Sequence, residues 1–96
     1  YSKAFTKRIE EAVELDFSWL GWGDEEAKVL AKTLAFTKSL RSLDIKMNMI
    51  GDEGFYALAA ALRQGAARKL RRISGLSYNR ASEAAKQALL SAFRER

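Results

Sequence analysis

The spacing of hydrophobic residues changes half-way through residues 40–62. Leu43 and Ile45 alternate with charged residues, as in a short strand that buries one face. Further on, Leu58 and Leu62 lie four residues apart among alanines, as on the buried side of a helix. The segment therefore predicts a strand, a turn and a helix in succession.

The same pattern occurs in two other parts of the chain. Residues 15–34 align with residues 43–62 at a constant offset of 28, and the Gly-Asp-Glu triplet occurs in both, at 23–25 and 51–53. Residues 76–93 form a third copy at an offset of 31, with the extra residues in the preceding link and near Ser74 and Gly75. A period of this length indicates a repeated supersecondary unit.

Each predicted helix begins with residues that favour a helix start. A capping oxygen followed by a carboxylate satisfies the first backbone N–H groups and complements the helix dipole. The capping candidates are Asp24, Asp52 and Ser82, each followed by a glutamate. Because each strand has only its copies as partners, we expect a parallel three-stranded sheet with the helices on its outer face.

The second copy carries a family resemblance. "LRSLDIKMNMIGDEGFYALAAAL" (40–62) resembles the leucine-rich repeat of the ribonuclease-inhibitor type, with leucines at fixed spacing, then Asn, Ile and Gly before a helix. The other copies match more loosely, and the resemblance covers about residues 12–94. It implies an α/β leucine-rich-repeat solenoid, a short right-handed coil. The expected parts are a helical cap or tail of a preceding repeat at 1–14 and three repeats at about 15–42, 43–72 and 73–96.

The resemblance also implies a role for two asparagines. In the family this residue holds the turn by bonding backbone groups that would otherwise be buried without partners. Asn48 and Asn79 occupy that position in the second and third copies, whereas the first copy has Leu20. We expect the first turn to be satisfied in another way or to be exposed.

A candidate protein-binding surface follows from the alignment of the copies. Large apolar residues occur just before the asparagine position in each copy, and polar residues occupy the outward strand positions. Large apolar groups on an exposed face are typical of protein-binding surfaces, unless further chain segments cover them. The candidate residues are Trp19, Met47 and Tyr78, flanked by Asp16, Asp44, Lys46 and Ser77.

Composition narrows the chemistry. The 96 residues are enough for one domain, and the chain has no cysteine and no histidine, so the commonest metal ligand and general base are missing. The Gly-Asp-Glu triplets are better explained by helix starts than by metal binding, and Trp22 aligns with a core position rather than forming part of a phosphate loop. We expect no enzyme activity, no metal and no cofactor.

The net charge of +5 arises entirely in the second half of the chain. Its basic cluster could bind an acidic surface or an anionic lipid, while the lack of interleaved aromatic residues argues against nucleic acid. The alternative is an ordinary solvated face. The cluster consists of Arg68, Lys69, Arg71, Arg72 and Arg80.

Two functional hypotheses follow. The first is a non-catalytic scaffold or adaptor that binds another protein; the second is a small structural subunit permanently docked in a large assembly, such as an organellar membrane complex. An intracellular location is favoured, with an organelle as the alternative if a targeting segment has been removed. Because residue 1 is a tyrosine, we expect either a fragment of a longer repeat protein or a processed subunit.

Overall fold

A computed structural model describes residues 9–95. The strands are β1 (Glu14–Asp16), β2 (Ser42–Asp44) and β3 (Arg72–Ser74). They alternate with the helices α1 (Asp24–Leu34), α2 (Asp52–Arg63) and α3 (Glu83–Arg94), and a short 3₁₀ helix, Leu76–Tyr78, follows β3. Residues 9–11 are also helical; the rest of the helix predicted within 1–14 lies largely outside the described residues, as does residue 96.

The three strands form one parallel sheet in the order β1-β2-β3. The register pairs Glu14 with Ser42 and Leu15 with Leu43, which is the offset of 28 found in the sequence. Between β2 and β3, Ser42 pairs with Arg72, so that the offset becomes 30. Of the two additional residues, one makes α2 longer than α1 and the other makes the link between α2 and β3 longer than the link between α1 and β2.

The prediction of a leucine-rich-repeat solenoid, a right-handed coil, is wrong. The sheet is not curled, and the described chain is a small compact α/β structure with a radius of gyration of 12.2 Å. Curvature in a solenoid accumulates from a small rotation at each repeat. Three strands of three residues provide only two such steps, and the change of offset makes the second step unlike the first.

The hydrophobic core lies between the sheet and the helices. Leu43 at the centre of β2 is 1% exposed, and its two neighbours in the strand are half-buried. Leu43 and Ile45 belong to one core cluster with Leu58 and Leu62 of α2, as their spacing predicts. The helices thus cover one face of the sheet, and the polar positions of the strands lie on the other face.

The helix starts differ from the prediction at the two aspartates. Gly23 and Gly51, not Asp24 and Asp52, are the N-cap residues of α1 and α2, and neither makes a side-chain cap. The Asp24 carboxylate instead accepts hydrogen bonds from the backbone N–H groups of Gly51 (2.8 Å) and Gly54 (2.9 Å). Asp24 therefore caps the helix of the following unit.

Asp52 repeats this arrangement one unit later. It accepts hydrogen bonds from the Ser82 backbone N–H (2.6 Å) and hydroxyl (2.9 Å), and these bonds lower the pKa of the Asp52 carboxyl. Ser82 caps α3 by accepting a hydrogen bond from the Ala85 N–H (3.2 Å). Carboxylates at these positions connect successive units and also complement the positive ends of the helix dipoles.

Candidate protein-binding surface

Asn48 connects the first two turns that follow the strands. Its Oδ1 atom accepts hydrogen bonds from the backbone N–H groups of Leu20 (3.1 Å) and Trp22 (3.0 Å). Its Nδ2 atom donates to the carbonyls of Phe17 (2.8 Å) and Ile45 (3.0 Å). Asn48 is only 6% exposed, so one buried amide holds both its own turn and the preceding one.

Asn79 occupies the equivalent position in the next turn. Its Oδ1 atom accepts from the Ile50 N–H (3.1 Å), and its Nδ2 atom donates to the carbonyls of Ile45 (2.9 Å) and Gly75 (3.0 Å). The asparagine of one unit therefore supports the turn of the unit before it. This explains how the first turn, which has Leu20 at the asparagine position, is satisfied: Asn48 bonds its backbone.

The three aligned apolar residues lie side by side in the structure. The Trp19 N–H donates to the Lys46 carbonyl (3.1 Å), and the Met47 N–H donates to the Tyr78 carbonyl (3.0 Å), so that hydrogen bonds between strands continue into the turns. Trp19 is 69% exposed, Met47 37% and Tyr78 63%. Side chains from three separate units thus form one exposed row.

Two further exposed apolar residues of the same turns were not assigned to this surface by the sequence analysis. Leu20 and Met49 follow Trp19 and Met47 by one or two residues, and about half of each side chain is exposed. The sequence did indicate them, since both are apolar residues at turn positions where polar residues are usual. We name the five residues the turn row: Trp19, Leu20, Met47, Met49 and Tyr78.

The backbone of the turn row is unusual at two positions. Trp19 and Met47 have φ angles of 60° and 59°, in the left-handed region that glycine and asparagine occupy most readily. A large side chain there costs about 1 to 2 kcal/mol relative to a right-handed conformation. The fold therefore holds these two residues outward in a conformation that their own chemistry disfavours.

Polar side chains flank the turn row on the exposed face of the sheet. Asp16 pairs in register with Asp44 of the adjacent strand. The Asp16 carboxylate accepts hydrogen bonds from the hydroxyl (2.5 Å) and the backbone N–H (2.9 Å) of Ser18, and these bonds, together with the positive charge of Lys46, lower the pKa of Asp16. Asp44 forms an ion pair with Lys46 at 3.6 Å.

Ser77 is exposed in the 3₁₀ helix, directly before Tyr78. Ser77 aligns with Ser18 of the first unit and Lys46 of the second, so this position is polar in all three units. In this unit, however, the strand is followed by a left-handed Gly75 rather than by an aspartate turn. The acidic part of the exposed face is therefore confined to the first two units.

The basic cluster is divided between two ends of the sheet. Arg68, Lys69 and Arg71 line a depression at the end where the strands begin, together with Arg41 of the preceding link. Arg72 lies within β3, and Arg80 lies beyond the other end, where its N–H donates to the Ile50 carbonyl (2.9 Å). Arg41 was missed because it lies about 30 residues from the other cations in the sequence.

The comparisons with known proteins identify no relative. No family model matches the chain, and no curated protein matches it significantly. The resemblance of residues 40–62 to the leucine-rich repeat therefore remains a prediction from the residues themselves.

The chemistry that residues 9–95 can provide is limited in two respects. No group of three or more acidic side chains in this range could hold a metal ion. None of the helices in the same range combines the length and the apolar character that a bilayer span requires. What the arrangement provides is an apolar row with an acidic flank at one end of the sheet and a basic depression at the other.

Proposed function

We propose that this chain is a non-catalytic protein-binding module whose turn row holds a partner protein. The partner presents an apolar side chain to Trp19, Met47 and Tyr78, and basic groups beside it meet the carboxylates of Asp16 and Asp44. The observation that carries the proposal is the single exposed row formed by apolar residues of three separate units.

Exposure and continuity support this proposal. Isolated apolar residues on a surface need no explanation, but a contiguous patch of them is typical of binding sites. Tryptophan and tyrosine are enriched among the residues that dominate binding energies, since they bury a large area and lose few rotamers. Here both types occur in a row whose spacing is fixed by backbone hydrogen bonds.

The left-handed residues give a second line of support. Asparagine or glycine at positions 19 and 47 would relieve the backbone and avoid exposing a large apolar group. Unfavourable local conformations concentrate where the side chain has a task other than stability. Trp19 and Met47 fit this description because neither side chain belongs to the core cluster or to the partly buried residues packed against it.

The charge of the flank defines the chemistry of the partner. At the end of the strands nearest the turn row, Asp16 of β1 pairs in register with Asp44 of β2, while the same register position in β3 is occupied by Ser74. The exposed face beside the turn row is therefore acidic in the first two units and uncharged at this position in the third. A partner with lysine or arginine next to its apolar anchor would bind in one orientation, because charge complementarity sets the register.

The test separates binding from stability. Trp19→Asn and Met47→Asn should leave the unfolding midpoint in urea unchanged or raised, because asparagine tolerates the left-handed conformation. The same variants should weaken binding of a purified partner by about thirtyfold, the equivalent of about 2 kcal/mol for a central anchor. The partner can be obtained by photo-crosslinking from position 19.

Tyr56→Ala is the matched control. Tyr56 is a half-exposed aromatic residue on α2, away from the turn row, and its removal should leave the affinity unchanged. Equal binding by the wild-type chain, Trp19→Asn and Tyr78→Ala would exclude the turn row as the site. A partner that crosslinks but never exchanges with free chain would instead assign the chain as a permanently docked subunit.

A further inference from the structure

The basic depression at the beginning of the strands is a second surface that is independent of the turn row. It has a volume of about 360 Å³ and is lined by Arg41, Arg68, Lys69 and Arg71 around Leu70. Two links contribute to it, the one before β2 and the one before β3. Residues far apart in the sequence are therefore brought to a common opening.

Backbone hydrogen bonds hold Arg41 and Arg71 next to each other on adjacent segments of the chain. The N–H groups of Arg71 (2.8 Å) and Arg72 (3.0 Å) both donate to the Arg41 carbonyl. Neighbouring strands lie about 4.8 Å apart, so the side chains of Arg41 and Arg71 start close to one another at the end of the sheet where the strands begin. The buried residues Leu40 and Leu70, which precede them, anchor both segments in the core.

The position of Arg68 is also restricted. The link after α2 contains two left-handed residues, Gly65 with a φ of 95° and Ala67 with a φ of 50°. A Cβ atom at Gly65 would lie 3.4 Å from Nε and from Nη2 of Arg68, so the guanidinium lies over this glycine. Ala67 is buried beside it, and Arg68 and Lys69 are both exposed.

Among residues 9–95, the four cations of the depression have no ion-pair partner. The ion pairs in this range involve Lys28, Lys38, Lys46 and Lys86. Glu95 lines the neighbouring depression that shares Arg68, but it forms no ion pair with that arginine. Four like charges held together, with no carboxylate among the described residues that line the depression, create a positive local potential.

We propose that this depression binds a phosphate group, carried either by a small soluble ligand or by a lipid headgroup. A phosphate monoester provides nearly two negative charges and three acceptor oxygens in one compact group. Arginine forks bind phosphate oxygens two at a time, and three of the four cations are arginines. The lining residues include no aromatic side chain on which a nucleic-acid base would stack.

The experiment compares two double variants of equal charge. Pyrophosphate is titrated into the wild-type chain, Arg68→Gln/Arg71→Gln and Arg72→Gln/Arg80→Gln, with binding measured by calorimetry and by amide chemical shifts. The first double variant should weaken binding by about tenfold or more, since it removes charge-assisted hydrogen bonds. The second removes the same charge from residues that do not line the depression and should change the affinity by about threefold or less.

A vesicle-sedimentation experiment distinguishes the two sources of the phosphate group, a soluble ligand and a lipid headgroup. Phosphatidylcholine vesicles containing phosphatidic acid, or phosphatidylserine at matched charge, are sedimented with each variant. Binding to phosphatidic acid that pyrophosphate displaces and that Arg68→Gln/Arg71→Gln abolishes assigns a lipid headgroup. Saturable pyrophosphate binding without vesicle binding assigns a soluble phosphate ligand.

Three results would overturn the proposal. The first is the absence of saturable pyrophosphate binding by the wild-type chain, and the second is an equal loss of affinity in both double variants. The third is displacement of pyrophosphate by polyglutamate at matched charge, which would assign the surface to an acidic protein. Arg41→Gln, which alters a different link, provides an independent variant if the double substitution changes the thermal unfolding curve.

Discussion

Replacing Asn48 by alanine should produce a larger loss of stability than the equivalent substitution of Asn79. The substitution removes one buried amide that bonds two turns, while the methyl group that replaces it can bond neither. The backbone groups it leaves behind must then find water or remain without a partner. The cost depends on which of them have a second hydrogen bond.

Two carbonyls that Asn48 contacts keep another donor. The Ile45 carbonyl still accepts from Asn79 Nδ2 at 2.9 Å, and the Lys46 carbonyl still accepts from the Trp19 N–H at 3.1 Å. The loss is therefore smaller than the number of bonds made by Asn48.

Three groups within residues 9–95 lose the hydrogen bond that satisfies them: the N–H groups of Leu20 and Trp22 and the Phe17 carbonyl. Leu20 is exposed, so that water can replace its bond, whereas Trp22 and Phe17 are half-buried and stack on each other with ring centroids 4.7 Å apart. Each buried group without a partner costs about 1 to 3 kcal/mol. Asn48→Ala, which leaves two such groups, should therefore destabilise the fold by about 2 to 6 kcal/mol.

Urea unfolding followed by circular dichroism measures this loss, and Asn79→Ala is the matched comparison. In that variant the Gly75 carbonyl keeps its bond from the Tyr78 N–H and the Ile45 carbonyl keeps its bond from Asn48, so that, among residues 9–95, only the Ile50 N–H loses its partner. The expected loss is about 1 to 3 kcal/mol. Equal losses in the two variants, or a larger loss in Asn79→Ala, would refute the reasoning about which groups have a second bond.

Three further predictions concern other parts of the fold. Gly75→Ala should destabilise the protein by about 2 to 5 kcal/mol, since its Cβ would clash with the Cα and Cβ of Lys46 and its φ is 88°. Gly21→Ala, at a φ of 68° with open space around it, should cost about 1 to 2 kcal/mol, and urea unfolding midpoints of the two variants test the difference. The pKa of Asp52 in the folded state is below the usual value of 3.8. The ionised Asp52 carboxylate therefore stabilises the fold above pH 3.8, and this stabilisation is lost as the pH falls through the lower folded-state pKa. Stability measured against pH should consequently fall less steeply in Asp52→Asn than in the wild-type chain below about pH 5. Amide hydrogens of α2, which packs against both α1 and α3, should exchange more slowly than those of the other two helices when followed by NMR.

The positions of the strands and of their buried residues could be predicted from the sequence. Leu43 and Ile45 alternate with polar residues, and the offset of 28 gives the register of β1 with β2. Both results depend on local periodicity and on matching of identical residue types. The same information does not determine curvature, because the winding of a solenoid depends on the number of units and on the rotation at each one.

The capping role of Asp24 shows a different limit. A sequence rule for helix starts compares an acceptor with backbone groups two or three residues later. Here the acceptor and the N–H groups are 27 and 30 residues apart, and they meet only because the units pack side by side. The residue type was therefore recognised correctly, but the helix that it caps was not.

Grouping of the basic residues fails for a related reason. Arg80 was assigned to the same cluster as Arg68 because both lie in the basic second half of the chain. The strand β3 runs between them and separates them to opposite ends of the sheet, while Arg41 enters the depression through the parallel pairing of the links. In a parallel sheet, positions at the same end of successive strands are neighbours, and this relation predicts charge clusters better than nearness in sequence.

The parallel sheet also makes the two proposed surfaces separable. The turn row depends on Asn48, which bonds the backbone of the turns carrying Trp19 and Met47, whereas the depression depends on the hydrogen bonds between Arg71, Arg72 and the Arg41 carbonyl at the other end. The strands β2 and β3 connect the two ends, and their backbone pairing does not involve the Asn48 side chain. Under conditions in which Asn48→Ala remains folded, it should therefore weaken partner binding and leave pyrophosphate binding intact, while Arg68→Gln/Arg71→Gln should do the reverse.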